Sequence, residues 1–219
     1  MLKSVYQLIN EDIRVPFGTA TFEDMHFDPD TGQIRYIEVG VGGWLNTDVI
    51  LCDARRFSVP THSDGLWTLS ITEEERNAAP GWQGPTLLNA LRAETWPPII
   101  QGPFGHDTSP LLAYGQMTDF AGGPATDRPN ADNLIDPLER VSEWKNLPVF
   151  GWDGELGTLF DLEFEPATRR FMQMSTLLNG SLVHIPYDKL RYRSKDGKLL
   201  TVNARRSDFH EVQEMLKGS

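Results

Sequence analysis

Asp24-Met25-His26-Phe27-Asp28-Pro29-Asp30-Thr31 and Asp161-Leu162-Glu163-Phe164-Glu165-Pro166-Ala167-Thr168 are nearly the same sentence written twice. Each alternates acidic or polar with apolar residues and then runs into a proline-centred turn. The correspondence extends along the chain with small gaps. Val49-Ile50-Leu51-Cys52 answers Leu182-Val183-His184-Ile185-Pro186, Asp64-Gly65 answers Asp196-Gly197, and Leu66-Trp67-Thr68-Leu69 answers Leu199-Leu200-Thr201-Val202. Two copies around a dissimilar spacer imply paired small domains, because a solenoid needs more repeats to cover its core. The expected organisation is a first repeat over 1–82, a connecting segment over 83–137 and a second repeat over 138–219 with a C-terminal helix.

Alternation with period two places successive side chains on opposite faces of a strand. Strands are read at Asp12–Val15, Thr19–Phe27, Gln33–Val39, Val49–Cys52 and Leu66–Ile71. Asp28-Pro29-Asp30-Thr31-Gly32 closes a hairpin: proline presets φ and glycine accepts a positive φ. A calcium-loop reading of the same stretch fails, because glycine stands where a third side-chain ligand is required and Val39 occupies the twelfth position. Gly40-Val41-Gly42-Gly43 is read as a flexible loop, since it lacks the Gly-Lys-Ser/Thr ending of a phosphate-binding loop. Thr72-Glu73-Glu74-Glu75 is a capping box at a helix start, which accounts for the three carboxylates without a metal. Ser207 is read as the N-cap of a terminal helix, Asp208–Lys217, with Phe209, Val212, Met215 and Leu216 on one face.

The chain has 219 residues, with 39% hydrophobic, 23% charged and 10% aromatic, the balance of a globular protein. No apolar run approaches the roughly 20 residues that cross a bilayer. Met1-Leu2-Lys3-Ser4-Val5 enters the first patterned segment directly, without the apolar stretch of a secretory signal, and a cytoplasmic location is expected. The net charge of −11 is uneven: 1–82 holds 6 basic and 13 acidic residues, 83–137 holds 2 and 6, and 138–219 holds 12 of each. Phosphate would be repelled by the first two segments, so nucleic acid is not the expected partner.

Residues 83–137 contain 8 of the 15 prolines and 6 of the 19 glycines, which prevents long regular elements, although Thr86–Glu94 could form a short helix. They also carry Trp96, Phe104, Tyr114 and Phe120, more aromatic surface than a solvated tether keeps exposed. Trp96, Phe104 and Phe120 are therefore expected to pack on the repeats. Candidate chemistry is sparse. Cys52, the single cysteine, sits in an apolar run and reads as a buried hydrophobe. His26, His62, His106, His184 and His210 never fall at zinc-site spacing, and no serine sits in a nucleophile elbow. His184, in an apolar strand, reads as a hydrogen-bonded core or edge residue. No catalytic residue, cofactor site or metal site is assigned.

Both repeats resemble the PRC-barrel domain, shared by the cytoplasmic part of the photosynthetic reaction-centre H subunit and by a ribosome maturation factor. The resemblance rests on Leu2-Lys3-Ser4, Gly18, Asp24 to Asp28, Ile34 to Val39, Gly42-Gly43-Trp44-Leu45, Val49-Ile50-Leu51, Asp64-Gly65 and Thr72 with its acids. In the second copy it rests on Gly154-Glu155-Leu156-Gly157, Asp161 to Glu165, His184-Ile185-Pro186 and Asp196-Gly197. It covers about three quarters of the chain. Cys52 stands where the family's proline follows the buried strand, while Pro186 keeps it. The resemblance implies an all-β fold with short helices, two small antiparallel barrels, and a role in docking on partners without catalysis. The function expected is that of a protein-binding adaptor or assembly factor whose partner the sequence does not name, with a homodimer left open. Two alternatives stand beside it. One is a small-molecule or metal-responsive module with a site between the barrels, to which His106 or Asp107 contributes. The other is an accessory to a photosynthetic reaction centre or another membrane complex. Gly42, Gly43, Trp44 and Leu45 are the candidate partner-binding loop, because tryptophan is enriched among residues that dominate binding energy.

Overall fold

The computed structural model describes residues 1–43, 46–60, 65–81, 97–102, 138–194, 197–209 and 211–212. Strands dominate: β1 (Lys3–Ser4), β2 (Asp12–Val15), β3 (Gly18–Asp28), β4 (Gln33–Gly43), β5 (Asn46–Asp53), β6 (Phe57–Ser58), β7 (Trp67–Leu69) and β8 (Ile99–Gln101). They continue with β9 (Glu139–Arg140), β10 (Pro148–Gly151), β11 (Gly154–Glu165), β12 (Arg170–Leu178), β13 (Ser181–Pro186), β14 (Leu190–Arg193), β15 (Leu200–Val202) and β16 (Glu211–Val212). The described residues hold one α-helix, α1 (Glu73–Ala78). The fold is all-β with few helices, and the described ladders do not close into a barrel.

One pairing scheme occurs twice. In the first half β2 runs antiparallel to β3 (Asp12↔Thr21 to Val15↔Gly18) and parallel to β7 (Ile13↔Trp67), and β6 pairs antiparallel with β7. In the second half β10 runs antiparallel to β11 and parallel to β15 (Val149↔Leu200), and β14 pairs antiparallel with β15. The β4–β5 hairpin has its counterpart in β12–β13. The Gly40–Gly43 stretch, expected as a loop, instead extends β4. Gly40↔Val49, Val41↔Asp48, Gly42↔Thr47 and Gly43↔Asn46 are ladder pairs. Ladder bonds are made by the backbone, so glycines can continue a strand when the partner is present, and Val41 supplies a buried anchor.

The chain divides into two compact units, and both are discontinuous in sequence. One comprises Asp12–Glu23 and Arg35–Glu139, the other Met1–Glu11, Asp24–Ile34 and Arg140–Ser219. Because β3 and β4 are each 11 residues long, their turn-proximal ends fall in a different unit from their remainders.

In the unit holding Asp12–Glu23 and Arg35–Glu139, Ile13, Val15, Phe22, Ile37, Val39, Ile50, Leu51, Leu69 and Ile71 are buried. Phe57 stacks on Trp67 with ring centroids 4.8 Å apart. β8 comes from the proline-rich connection and adds a strand to β5 (Ile50↔Gln101, Leu51↔Ile100, Cys52↔Ile99), burying Ile99 and Ile100. Trp96, Phe104 and Phe120, expected to perform that packing, lie outside the described residues, as does the Thr86–Glu94 helix. Thr72 caps α1 as the sequence indicates. Its hydroxyl accepts from Glu75 N at 3.1 Å, while the Glu75 carboxylate accepts from Thr72 N at 2.9 Å and from Arg56.

In the other unit the tip of the β3–β4 hairpin lies against residues of the second repeat. Phe27 packs edge-on against Trp144 at 4.9 Å and Phe171 at 5.0 Å. Tyr187 stacks on Phe171 and donates its hydroxyl to the Pro29 carbonyl at 2.9 Å. Gly32, at φ +70°, leaves no room for a side chain: a Cβ would stand 2.8 Å from Tyr187 Cε1 and 3.2 Å from the Phe171 carbonyl oxygen. β1 pairs with β11 (Lys3↔Phe164, Ser4↔Glu163) and β9 with β3, so the lead-in strand of each repeat pairs with the long strand of the other.

The C-terminal helix is corrected over its first residues. Arg206–Asp208 form a 3-10 turn, with Ser207 inside it, and Glu211–Val212 form β16 against β13 (Leu182↔Val212, Val183↔Glu211). The edge of β13 offers ladder partners that a helix would leave unused, and this outweighs the helical spacing of Phe209 and Val212. Residues 213–217 lie outside the described residues.

Candidate functional site

The two aspartates that open the repeated motif are both buried. Asp24, 1% exposed, accepts from Met25 N (2.8 Å), Ser142 N (3.1 Å), Ser142 Oγ (2.6 Å) and Arg140 Nε (3.1 Å). Asp161 accepts from Leu162 N (2.8 Å) and Tyr6 N (3.4 Å). Burial pushes the Asp161 carboxyl above its ordinary value, with hydrogen bonds from Ser4, Tyr6 and Leu162 opposing the rise. Each aspartate accepts from the amide that follows it; Asp24 ties β3 to the downstream 140–142 segment, and Asp161 ties β11 to the upstream segment at Tyr6. With all these donors satisfied, the two groups hold strands in register.

Among the described residues, a four-membered polar cluster spans β11, β12 and β13. Gln173 Nε2 donates to Glu163 Oε2 at 3.0 Å and lies 2.9 Å from His184 Nδ1. Ser175 Oγ donates to Glu163 Oε1 at 2.9 Å and lies 2.8 Å from the same His184 Nδ1. Glu163↔Gln173 and Ser175↔His184 are direct cross-strand partners, so the pleat and the register bring the four together. The composition suggests a serine–histidine–acid triad, but the geometry is different. A triad needs serine at one ring nitrogen and carboxylate at the other, whereas here Ser175 and Glu163 both lie on the Nδ1 side, Glu163 Oε1 at 4.0 Å. Ser175 is also only 2% exposed. What the cluster can do is fix the imidazole plane and lock three strands, which matches the hydrogen-bonded role read for His184.

Four β-bulges lie among the described residues of the same unit; the one between Val149 and Phe150 leaves the buried Leu156 as the extra residue, and the other three re-aim exposed side chains. Leu159↔Thr176 is followed by Asp161↔Ser175, leaving Phe160 as the extra residue. Glu163↔Gln173 is followed by Phe164↔Phe171, leaving Met172, and Leu190↔Val202 by Tyr192↔Thr201, leaving Arg191. An extra residue is unpaired and its strand bends. Phe160 is 49% and Met172 45% exposed, among the largest exposed apolar groups of the chain, together with Trp152 at 60%. The Arg191 guanidinium lies 5.2 Å from the Trp152 ring centroid.

In the unit holding Arg35–Glu139, an open cleft of about 380 Å3 is lined by Asp48, Val49, Ile50, Arg76, Asn77, Gln101 and Gly102. Gln101 Nε2 donates to the Arg76 carbonyl across it. Its lining is mixed and mainly polar, and none of it was singled out from the sequence as a site.

Of the candidate loop, Gly42 is exposed at φ +123° at the end of the β4–β5 ladder and Gly43 pairs with Asn46. Trp44 and Leu45 lie outside the described residues, as do His62, His106, Asp107 and His210. Cys52 is buried, and desolvation pushes its thiol up to about 12, only partly offset by Arg56. Among the described residues no three His, Cys, Asp or Glu side chains could share a metal ion, and no helix is long and apolar enough to cross a membrane. The polar cluster and the bulges escape a sequence reading, because both depend on cross-strand register. The only available hint is the mismatch of apolar Phe160 and Met172 with the alternation around them.

The chain matches no protein-family model. A search of curated proteins likewise finds no match.

Proposed function

We propose that this chain is a non-enzymatic adaptor or assembly factor, built from two PRC-type barrels, that acts by binding another protein in the cytoplasm. The repeated motif and the twice-used pairing scheme support the tandem PRC reading. The observation that carries the binding reading is the placement of Phe160 and Met172. Each is the extra residue of a bulge in one hairpin, and each is held about half exposed. Folding gains nothing by leaving the outer half of two large apolar side chains in water, whereas burying that half in an interface would release about 1 kcal/mol apiece. The Gly42-Gly43-Trp44-Leu45 loop is a second contact in this proposal.

The test is capture of partners from native cell extract on immobilised full-length protein, beside a Phe160→Ser/Met172→Ser variant with unchanged circular dichroism. The expected result is a reproducible stoichiometric partner with the parent and its loss with the variant. A parent that retains nothing above a blank support would overturn the adaptor reading. Equal capture by both proteins would remove these two residues from the interface.

A further inference from the structure

The turn after β10 and the segment after β15 build one corner of the unit that contains Arg140–Ser219. Trp152 N donates to the Ala204 carbonyl at 2.9 Å and its indole Nε1 to Asn203 Oδ1 at 2.9 Å. Asn203 N donates in turn to the Lys189 carbonyl at 2.7 Å. Arg206 N donates to the Asp153 carboxylate at 3.0 Å, and Arg205 N to Asp208 at 2.8 Å. These contacts bring the backbone of Lys189, Arg205 and Arg206 to the turn that carries Trp152, which has the Arg191 guanidinium 5.2 Å from its ring centroid, is fixed by two hydrogen bonds and is still 60% exposed. The acidic residues of these segments are Asp153, Glu155, Asp188 and Asp208. Two of them, Asp153 and Asp208, are engaged by backbone amides of the turn.

We propose that this corner binds an acidic peptide segment of a partner protein, with an aromatic or aliphatic side chain laid on the Trp152 indole and carboxylates paired with Arg191 and Arg205. The proposal rests on the adaptor reading and names the chemistry of one partner surface. A pre-oriented indole contributes contact area at little entropic cost, and tryptophan and arginine are the residue types most enriched at binding hot spots. Arginine in a stacked position also presents its planar fork to carboxylates. Charge selects the occupant. The whole chain is −11, so a polyanion as long as a nucleic acid meets repulsion well beyond the corner, whereas a short acidic segment can be confined to Arg191 and Arg205.

The experiment uses full-length protein and the fluorescein-labelled peptide Glu-Glu-Phe-Glu-Glu-Phe-Glu-Glu, read by fluorescence anisotropy at low and at physiological salt. Its Lys-for-Glu counterpart and a labelled 12-nucleotide oligo-dT serve as comparators. The parent protein should bind the acidic peptide, more weakly as salt rises, and at least tenfold more tightly than either comparator. Trp152→Ala and Arg191→Gln should each weaken it at least tenfold in proteins that stay cooperatively folded by circular dichroism, while Val59→Ser, at an exposed apolar residue of the other unit, should leave it unchanged. No binding by the parent, equal binding by Trp152→Ala, or preference for the oligo-dT would each overturn the proposal. A parent protein that ignores the peptide but still captures a protein from extract marks failure of this surface alone, whereas a parent that binds neither marks failure of the adaptor reading as well.

Discussion

Replacing Asp24 by alanine is the perturbation that probes the fold most directly. The carboxylate is 1% exposed and accepts from four donors, three of them on Arg140 and Ser142. The Arg140 side chain is 17% exposed, so its guanidinium regains little water when its partner disappears. Removing one member of a buried ion pair costs about 3–5 kcal/mol when buried donors lose their acceptor, and here Arg140 Nε and both Ser142 donors lose theirs. That is a large part of the roughly 5–15 kcal/mol by which domains are stable. With a urea m-value of about 2 kcal/mol/M, the midpoint should fall by about 2 M at unchanged m. Asp24→Asn retains an Oδ1 acceptor for Met25 N and Ser142 N but loses the charge, and should cost about 1.5–3 kcal/mol. Arg140→Met should cost less than Asp24→Ala, because the carboxylate keeps its Ser142 and Met25 donors. Equilibrium urea unfolding followed by circular dichroism measures all three. An Asp24→Ala protein within 1 kcal/mol of the parent, cooperatively folded, would refute the assignment of Asp24 as the tie between β3 and the 140–144 segment.

Cys52, with its thiol raised to about 12, should hold only about one part in 10^4 thiolate at pH 8, and native protein should react with a disulfide reagent only as fast as it unfolds; rapid stoichiometric labelling without urea would contradict the buried β5. Gly32→Ala should lose at least about 1–2 kcal/mol from its positive φ alone, before the clash with Tyr187. Arg169, at φ +53° in the corresponding turn, should become slightly stabilising as Arg169→Gly; thermal midpoints in the opposite order would defeat the pairing of these turns. For Asp161 the folded pKa lies above the unfolded one, so the carboxyl subtracts stability as pH rises from about 4 through the folded value, and the full cost is present above it. Asp161→Asn should therefore be at least as stable as the parent at pH 7 and lose this advantage near pH 3. Urea midpoints across that range check it, and a parent more stable than the variant at pH 7 would reverse the argument.

Strand positions were largely legible. The alternation in Asp12–Val15 and in Leu66–Ile71, the turn chemistry of Asp28–Gly32 and the Thr72 capping box are local signals, and the structure uses them locally. Gly40–Gly43 misled because glycine content reports flexibility of the isolated chain and says nothing of a waiting partner strand. β8 was hidden for the same reason: Ile99–Gln101 is too short to show a period amid prolines, and β5 supplies its ladder. The Ser175–His184–Glu163–Gln173 cluster depends on register across three strands, and the bulges at Phe160 and Met172 alter that register by one residue each. No single-strand pattern contains this information. The placement of Asp24–Ile34 among residues of the second repeat is also invisible locally, since Phe27 is equally suited to any apolar core.

A hairpin tip that completes its core only with partners more than a hundred residues downstream imposes an order on synthesis. Phe27 leaves the ribosome long before Trp144, Phe171 and Tyr187, and at about 5–20 residues per second the interval to the last of them is roughly 10–30 s. During that time an apolar strand end stays without its partners, which is the exposure that recruits chaperones and invites pairing between nascent chains. Such long sequence separations also slow folding in general. Stalled nascent chains truncated before and after residue 190 should thus differ in protease resistance at the Asp24–Ile34 turn.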